Sequence, residues 1–290
     1  MKYSVYILAT LFLFASCTKE IPFDSEIKQP KITINSAFTP DSSWAVKLTR
    51  SLSVIDNGQL SDIENATVII SGSDGTTTPL TYDAVTGFYT STATLVANVN
   101  YTISASAPNY PNASSTGLAK QPVPIIQVDT SSRTSEWSKF KIFKIKFNDP
   151  SFSQDYYMVT IIQRVEDYTY DWMGNIVDTF YYDYKLHLNS SDLSSDQDND
   201  WNEAVTFSDN LFNGQTKVFT CETYQDFPNN DKFLIVLSRL SEDFYKYKKT
   251  IMAYWNSHGN PFAEPVRVHT NVEGGFGIFA GLSHYYYVIP

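Results

Sequence analysis

The stretch KFKIFKIKF at residues 139–147 decides the fold class, because its apolar and charged residues alternate strictly from Phe143 to Phe147. Side chains along a β-strand point to opposite sides with a period of two. Phe143, Ile145 and Phe147 therefore fall on one face of a strand, and the lysines between them fall on the other. One face packed on a core and one face in water is typical of antiparallel sheets.

Short runs of the same character lie on both sides of this stretch. They are rich in Val, Ile, Thr and Tyr and are separated by turn-forming Gly, Asn, Asp and Pro. Such closely spaced strands, with almost no helical pattern between them, predict a mainly β protein built from antiparallel β-sandwiches. Pro122 and Pro124 stiffen the chain and place a domain boundary near residue 121. We predict one β-sandwich domain over residues 30–121 and a second over residues 122–290.

A single α-helix is expected in the second domain, at about residues 241–257, from the segment SEDFYKYKKTIMAYWNSHG. Ser241 is a suitable N-cap, and Gly259 is suited to end the helix. The aromatic and apolar residues recur at helical spacing, so we expect this face to pack against a sheet. The predicted face consists of Phe244, Tyr247, Ile251 and either Tyr254 or Trp255.

An aromatic hairpin is predicted where DYTYDWMGN separates two β-type runs, with its turn at Gly174 and Asn175. Tyr168, Tyr170 and Trp172 alternate with polar residues at the predicted tip. Exposed aromatic rings stack on sugars or anchor protein interfaces at low entropic cost. These three residues are the candidate contact site for a ligand or partner. The alternative is that they fold back over their own sandwich.

The densest acidic segment suggests a weak calcium site. Asp196, Asp198 and Asp200 repeat the odd-position spacing of a calcium-binding loop, whose ligands are hard oxygen atoms. Trp201 and Phe207, however, stand where such a loop requires glycine and glutamate. A solvated loop is the favoured interpretation, and calcium is the alternative.

No catalytic or cofactor motif is present in the sequence. It contains no H-E-x-x-H or C-x-x-C spacing, no G-x-S-x-G elbow and no P-loop. The net charge of −10 argues against nucleic acid as a partner. We therefore expect a binding protein that is not an enzyme and has no catalytic residues, cofactor or metal. A hydrolase with carboxylates distant in sequence is the remaining enzymatic hypothesis.

The N-terminus has the charged, apolar and small-residue zones of a secretory signal, which we assign to residues 1–16. FASC at residues 14–17 resembles a bacterial lipobox, so we expect Cys17 to be lipidated with acyl chains such as palmitate. Cys221 would then have no disulfide partner. We interpret residues 17–29 as a linker between the lipid and the first strand. The alternative is a secreted protein without lipid.

Two motifs carry a family resemblance: FSDNLFNGQTKVF at residues 207–219, and NPFAEPV together with NVEGGFGIFAG at residues 260–281. The chain resembles the Bacteroidota lipoproteins catalogued as domain of unknown function 4249. The first domain is also similar to transthyretin-like sandwiches, a fold comparable to the Ig type. The second block is interpreted either as a stability motif, in which Gly274, Gly275 and Gly277 admit close backbone approach, or as a partner contact.

The resemblance implies an outer-membrane lipoprotein that accompanies a TonB-dependent receptor, without established catalytic residues. The expected function is that of a non-enzymatic accessory subunit in nutrient uptake or envelope assembly. The alternative is a surface lipoprotein that binds glycans or peptides through the aromatic tip. The oligomeric state and the side of the membrane on which the body lies are left open.

Overall fold

The computed structural model describes residues 29–53, 58–135, 138–151, 153–196, 202–224, 232–260 and 262–289. These residues form fifteen strands, one α-helix and one short 3-10 helix. The mainly β composition and the single helix predicted from the sequence are confirmed for this part of the chain. The strands are β1 (Ile32–Phe38), β2 (Ser43–Arg50), β3 (Thr67–Gly72), β4 (Thr77–Asp83), β5 (Phe88–Thr94), β6 (Asn100–Ser106), β7 (Ala113–Leu118), β8 (Ile125–Thr134), β9 (Lys139–Asn148), β10 (Tyr156–Tyr170), β11 (Ile176–Lys185), β12 (Val205–Ser208), β13 (Thr216–Tyr224), β14 (Phe233–Leu240) and β15 (Phe276–Ile289).

The strands form two sheets. The larger sheet has the order β11-β10-β14-β15-β1-β2-β5-β4-β3-β6-β7, and β12 pairs with β10. The smaller sheet has the order β13-β9-β8. Among the described strand pairs only β1 and β15 are parallel.

A first core lies inside the strands from β1 to β7, which curl around it. Trp44, Ile34 and Ile103 are among its fully buried members. The edge strand β7 is joined to the segment just before β15, because Ser114 and Glu273 exchange two backbone hydrogen bonds of 3.0 and 2.8 Å. Phe279 of β15 also packs in this core. The far end of the chain therefore completes the first core, and the boundary near residue 121 stays a prediction.

A second core lies between the three-stranded sheet and the strands β10, β12 and β14. Strand β9 places Phe143, Ile145 and Phe147 in this core with no exposed surface, as its alternation predicted. Opposite them lie Tyr157, Val159 and Ile161 of β10. Cys221 is also buried in this core, and it is a free cysteine. Burial raises the pKa of its thiol to about 12, so the group stays protonated and unreactive at neutral pH.

The α-helix, α1 (Glu242–Ser257), has the predicted boundaries and N-cap. The Ser241 hydroxyl accepts a hydrogen bond from the Phe244 N–H, and Gly259 follows with φ of +82°. The packing is shallower than expected, because no helix residue is fully buried and Trp255 is 63% exposed. Only Phe244 of the predicted face packs on the small cluster beneath, together with Tyr245. The helix lies on the outer face of the sheet, so only one edge of it is covered. No described helix has the length and hydropathy needed to cross a bilayer.

Candidate functional site

A two-stranded hairpin extends beyond the second core. Strand β10 pairs with β14 up to Gln163 and continues to Tyr170, where β11 is its antiparallel partner. At the turn, the Asp171 carboxylate accepts hydrogen bonds from the backbone N–H groups of Met173 and Asn175 at 2.8 and 2.9 Å. We call residues 165–183 the arm. Its predicted hairpin form is present in the structure.

Aromatic side chains occupy both faces of the arm. Tyr168 and Tyr170 lie on one face with ring centroids 6.4 Å apart. Phe180 and Tyr182 lie on the other face and stack at 6.3 Å. Trp172 in the turn is 91% exposed. The exposed large hydrophobic residues of the arm are Tyr170, Trp172, Met173, Ile176, Val177, Phe180, Tyr181 and Tyr182.

The arm is also acidic. It contains no lysine, arginine or histidine. Its carboxylates are Glu166, Asp167, Asp171, Asp178 and Asp183. Glu166 accepts a hydrogen bond of 2.7 Å from the Tyr168 hydroxyl, and this bond raises the pKa of the tyrosine. The surface thus combines apolar rings with one sign of charge.

An apolar groove adjoins the base of the arm. It has a volume of about 330 Å³ and is floored by Ile162, Leu234 and Val288 from three neighbouring strands. Arg164 and Asp183 border it where the arm begins. The apolar surface therefore continues from the arm onto the body of the sheet.

A second feature is a buried acidic cluster at the end of the second core. Asp149, Asp155 and Asp209 each place a carboxylate oxygen within 4.8 Å of the others, and all three residues are buried. Arg239 donates two hydrogen bonds to Asp155, of 3.0 and 2.6 Å, and Lys120 donates one of 2.6 Å.

The other two members of the acidic cluster are held mainly by neutral donors. Asp149 accepts hydrogen bonds from the Tyr157 hydroxyl and the Gly214 N–H. Asp209 Oδ2 accepts a hydrogen bond of 2.9 Å from the Asp155 N–H. The two positively charged side chains, Arg239 and Lys120, therefore both pair with Asp155.

Residues 18–285 match the model of a family described as Domain of unknown function (DUF4249). The chain belongs to this family. The match extends over both cores, the arm and the acidic cluster of the DUF4249 protein. A search of curated proteins found no match. The family resemblance of the sequence motifs is therefore confirmed, while the lipoprotein nature and the Bacteroidota source stay predictions.

The three carboxylates in the acidic cluster of the DUF4249 protein differ in the direction of their pKa shifts. Burial alone raises the pKa of Asp155, but hydrogen bonds from Arg239 and Lys120 outweigh it and hold the pKa below its ordinary value. Burial raises the pKa of Asp149 and of Asp209, and their hydrogen bonds offset this only in part. One carboxylate is thus firmly charged, and two are costly to ionise.

The DUF4249 protein brings the three predicted contact residues together only in part. Tyr168 and Tyr170 share a face, whereas Trp172 stands in the turn beyond them. Tyr170 and Trp172 are in solvent, so they do not fold back over the sandwich. The sequence analysis missed the aromatic residues of β11, although the run FYYDY at residues 180–184 could have indicated them.

The predicted calcium loop is described only at Asp196, since Asp198 and Asp200 lie outside the described residues. Asp196 holds α1 to the body: its Oδ1 accepts hydrogen bonds of 2.8 Å from the Tyr245 hydroxyl and from Lys249 Nζ. The Thr206 hydroxyl bonds its other oxygen. This carboxylate therefore has a structural role. Cys17 also lies outside the described residues, so its lipidation stays a prediction.

The sequence analysis also missed the acidic cluster of the DUF4249 protein. Asp149 and Asp209 are 60 positions apart, and no local spacing connects them. Asp209 lies within the family motif FSDNLFNG, which was the one available signal.

Proposed function

We propose that this DUF4249 protein is a non-enzymatic lipoprotein of the outer membrane that binds a partner protein through the arm. The observation that carries the proposal is the exposure of aromatic side chains on both faces of the two-stranded arm. A lone hairpin of this kind is marginally stable in water. Contiguous exposed apolar surface of this extent marks an interaction site.

The edge of the arm supports the same proposal. Strand β11 is the last strand of the large sheet, so its outer edge has no strand partner among the described residues. A long apolar edge strand offers backbone N–H and C=O groups to a strand of another protein. The charge of the arm favours a partner that presents lysine and arginine around an apolar groove.

The proposed partner is a TonB-dependent receptor, as the family resemblance implies. Lipid attached to Cys17 would hold the protein at the membrane through the linker of residues 17–29. Tethering raises the local concentration of the arm near the receptor, so modest contacts suffice for stable association. The complex would act in nutrient uptake or envelope assembly.

Co-purification from native membranes tests this proposal. Tagged wild-type protein is expected to retain the receptor, and the Tyr170→Ala/Trp172→Ala variant to lose at least about tenfold of it, since buried aromatic anchors dominate interface energies. Trp255→Ala on α1 is the matched control, because it removes an exposed indole that is not part of the arm. The proposal is wrong if wild-type protein retains no such receptor, or if the arm variant retains it as well as the control does.

A second candidate is glycan or peptide binding by the tip, favoured by the adjacent rings of Tyr168 and Tyr170. Purified protein without any receptor would then retain the ligand on an affinity matrix. The same double variant would abolish that retention while the thermal transition stayed unchanged. Retention of the ligand by purified wild-type protein, in the absence of any receptor, therefore distinguishes this candidate from receptor binding.

A further inference from the structure

One oxygen in the acidic cluster has no partner. Asp209 has no exposed surface, and its Oδ1 makes no hydrogen bond within the described part of the chain. A buried carboxylate oxygen without a partner carries a large desolvation cost. Most buried polar groups in native structures are paired with protein, an ordered water or an ion, so this oxygen requires an explanation.

The carboxylate oxygens of the cluster that can still accept a bond belong to Asp149 and Asp209. Asp155 is saturated, because each of its oxygens already accepts two hydrogen bonds, from Arg239, Lys120 and Ser153. Each oxygen of Asp149 accepts one, which leaves a lone pair on each. Three carboxylates face two cations, so one negative charge has no counterion among the described residues.

We propose that this cluster binds a single hard metal cation, with Asp209 and Asp149 as direct ligands and Asp155 as the residue that positions them. Carboxylate oxygens within 4.8 Å of one another can share an ion that lies about 2.3–2.6 Å from each, which is the Ca²⁺ distance. Calcium takes such oxygen ligands in flexible geometry and completes its shell with carbonyls and water.

The backbone holds the proposed ligands in place. Asp209 N–H donates to the Asp155 carbonyl at 3.0 Å, while Asp155 N–H donates to Asp209 Oδ2 at 2.9 Å. Gly214 N–H donates to Asp149 Oδ2 at 2.8 Å. The free Oδ1 of Asp209 is therefore fixed by reciprocal bonds, as ligands of a preorganised ion site are.

A proton is the competing occupant. A proton would neutralise Asp209, but it needs an acceptor at hydrogen-bond distance, whereas a metal ion bridges oxygens that lie farther apart. The carboxylate oxygens of the cluster lie within 4.8 Å of one another, a separation that a single ion can bridge. A Ca²⁺-dependent rise in Tm distinguishes the metal from the proton.

Thermal unfolding of the full mature protein with and without ions tests the site. After chelator treatment, added Ca²⁺ is expected to raise Tm by roughly 5 °C at a concentration 100-fold above Kd. Asp209→Asn keeps the shape but removes the charge, and it should abolish this shift. Asp178→Asn on the arm is the matched control and should retain the full shift.

Terbium binding is the second measurement, and it does not depend on how a variant folds. Tb³⁺ should bind wild-type protein with a stoichiometry of one ion per chain, show emission sensitised by Tyr157, and be displaced by Ca²⁺. If Ca²⁺ and Mg²⁺ both leave Tm unchanged and Tb³⁺ does not bind, the metal proposal is overturned. A Ca²⁺ shift that persists in Asp209→Asn would place the ion elsewhere and overturn it equally.

Discussion

Asp192 joins the segment after β11 to the smaller sheet. Its Oδ1 accepts hydrogen bonds from Lys217 Nζ at 2.7 Å and from the N–H and hydroxyl of Ser194 at 3.0 and 2.6 Å. The Asp192 and Lys217 side chains are only 11% and 16% exposed. Burial raises the pKa of Asp192, but these hydrogen bonds outweigh it, and the pKa in the folded protein is lowered.

The lowered pKa predicts a pH-dependent contribution to stability. A carboxylate whose pKa is lower in the folded state stabilises the protein above its unfolded pKa of about 4, and this stabilisation is lost as pH falls through the folded value. Asp192→Asn should therefore reduce the free energy of unfolding by about 1–3 kcal/mol at pH 7. At pH 3, below the unfolded pKa, the difference between variant and wild type should be smaller than at pH 7. Urea unfolding at both pH values measures this difference.

Asp178→Asn is the control for this prediction, because Asp178 is exposed on the arm. It should change the free energy of unfolding by no more than about 0.5 kcal/mol at either pH. A deficit in Asp192→Asn that stays constant from pH 7 to pH 3 would contradict the assignment.

Some elements of this fold are predictable from local sequence pattern, whereas the pairing of β15 is not. Strand β9 and helix α1 were predictable because period-two alternation and an N-cap serine are local signals. The parallel pairing of Thr33 with Phe276 joins positions 243 residues apart, and no local signal specifies it. The same limit applies to Asp149 and Asp209, which directly follow β9 and β12 and come together only through the packing of those strands.

Gly277 makes the parallel pairing of β1 and β15 sterically feasible. Its φ is +101°, and a Cβ atom at this position would overlap the carbonyl oxygen of Ile34 in β1. The close backbone approach expected from the glycine-rich block is therefore present here. This contact supports the interpretation of the block as a stability motif.

Gly277→Ala should be strongly destabilising. Gly174 at the tip of the arm is the matched control, with φ of +85° and no atom within 4 Å of the point that an added Cβ would occupy. Gly174→Ala should cost about 1–2 kcal/mol, from backbone strain alone. Gly277→Ala should cost at least about 2 kcal/mol more, because overpacking adds to the strain. Equal losses in chemical denaturation would show that the contact with Ile34 relaxes freely.

At the scale of the whole molecule, β15 and Arg239 both connect the two cores within the described part of the chain. Strand β15 places Phe279 in the first core, while Tyr285 and Tyr287 pack against the second. Arg239 of β14 donates a hydrogen bond of 3.1 Å to the Gln121 carbonyl. Arg239 and the neighbouring Lys120 both form ion pairs with Asp155. These contacts join the segment after β7 to the strands of the second core. Neither core can lose its structure without exposing part of the other.

We therefore expect a single cooperative unfolding transition. Ile103→Ala in the first core and Ile161→Ala in the second core should each cost about 2–5 kcal/mol. Each variant should lower the same Tm, with calorimetric and van't Hoff enthalpies in agreement. Two separate transitions, with each variant lowering only one of them, would show that the cores unfold independently.

The parallel pair of β1 and β15 also forms late in biosynthesis, because its two strands lie near opposite ends of the sequence. A ribosome adds about 5–20 residues per second, so β1 is complete roughly 10–50 s before its partner strand exists. During that interval one edge of β1 and the apolar side chains around Phe38 have no native cover. We therefore expect the nascent chain to be prone to aggregation until its last strand has been made.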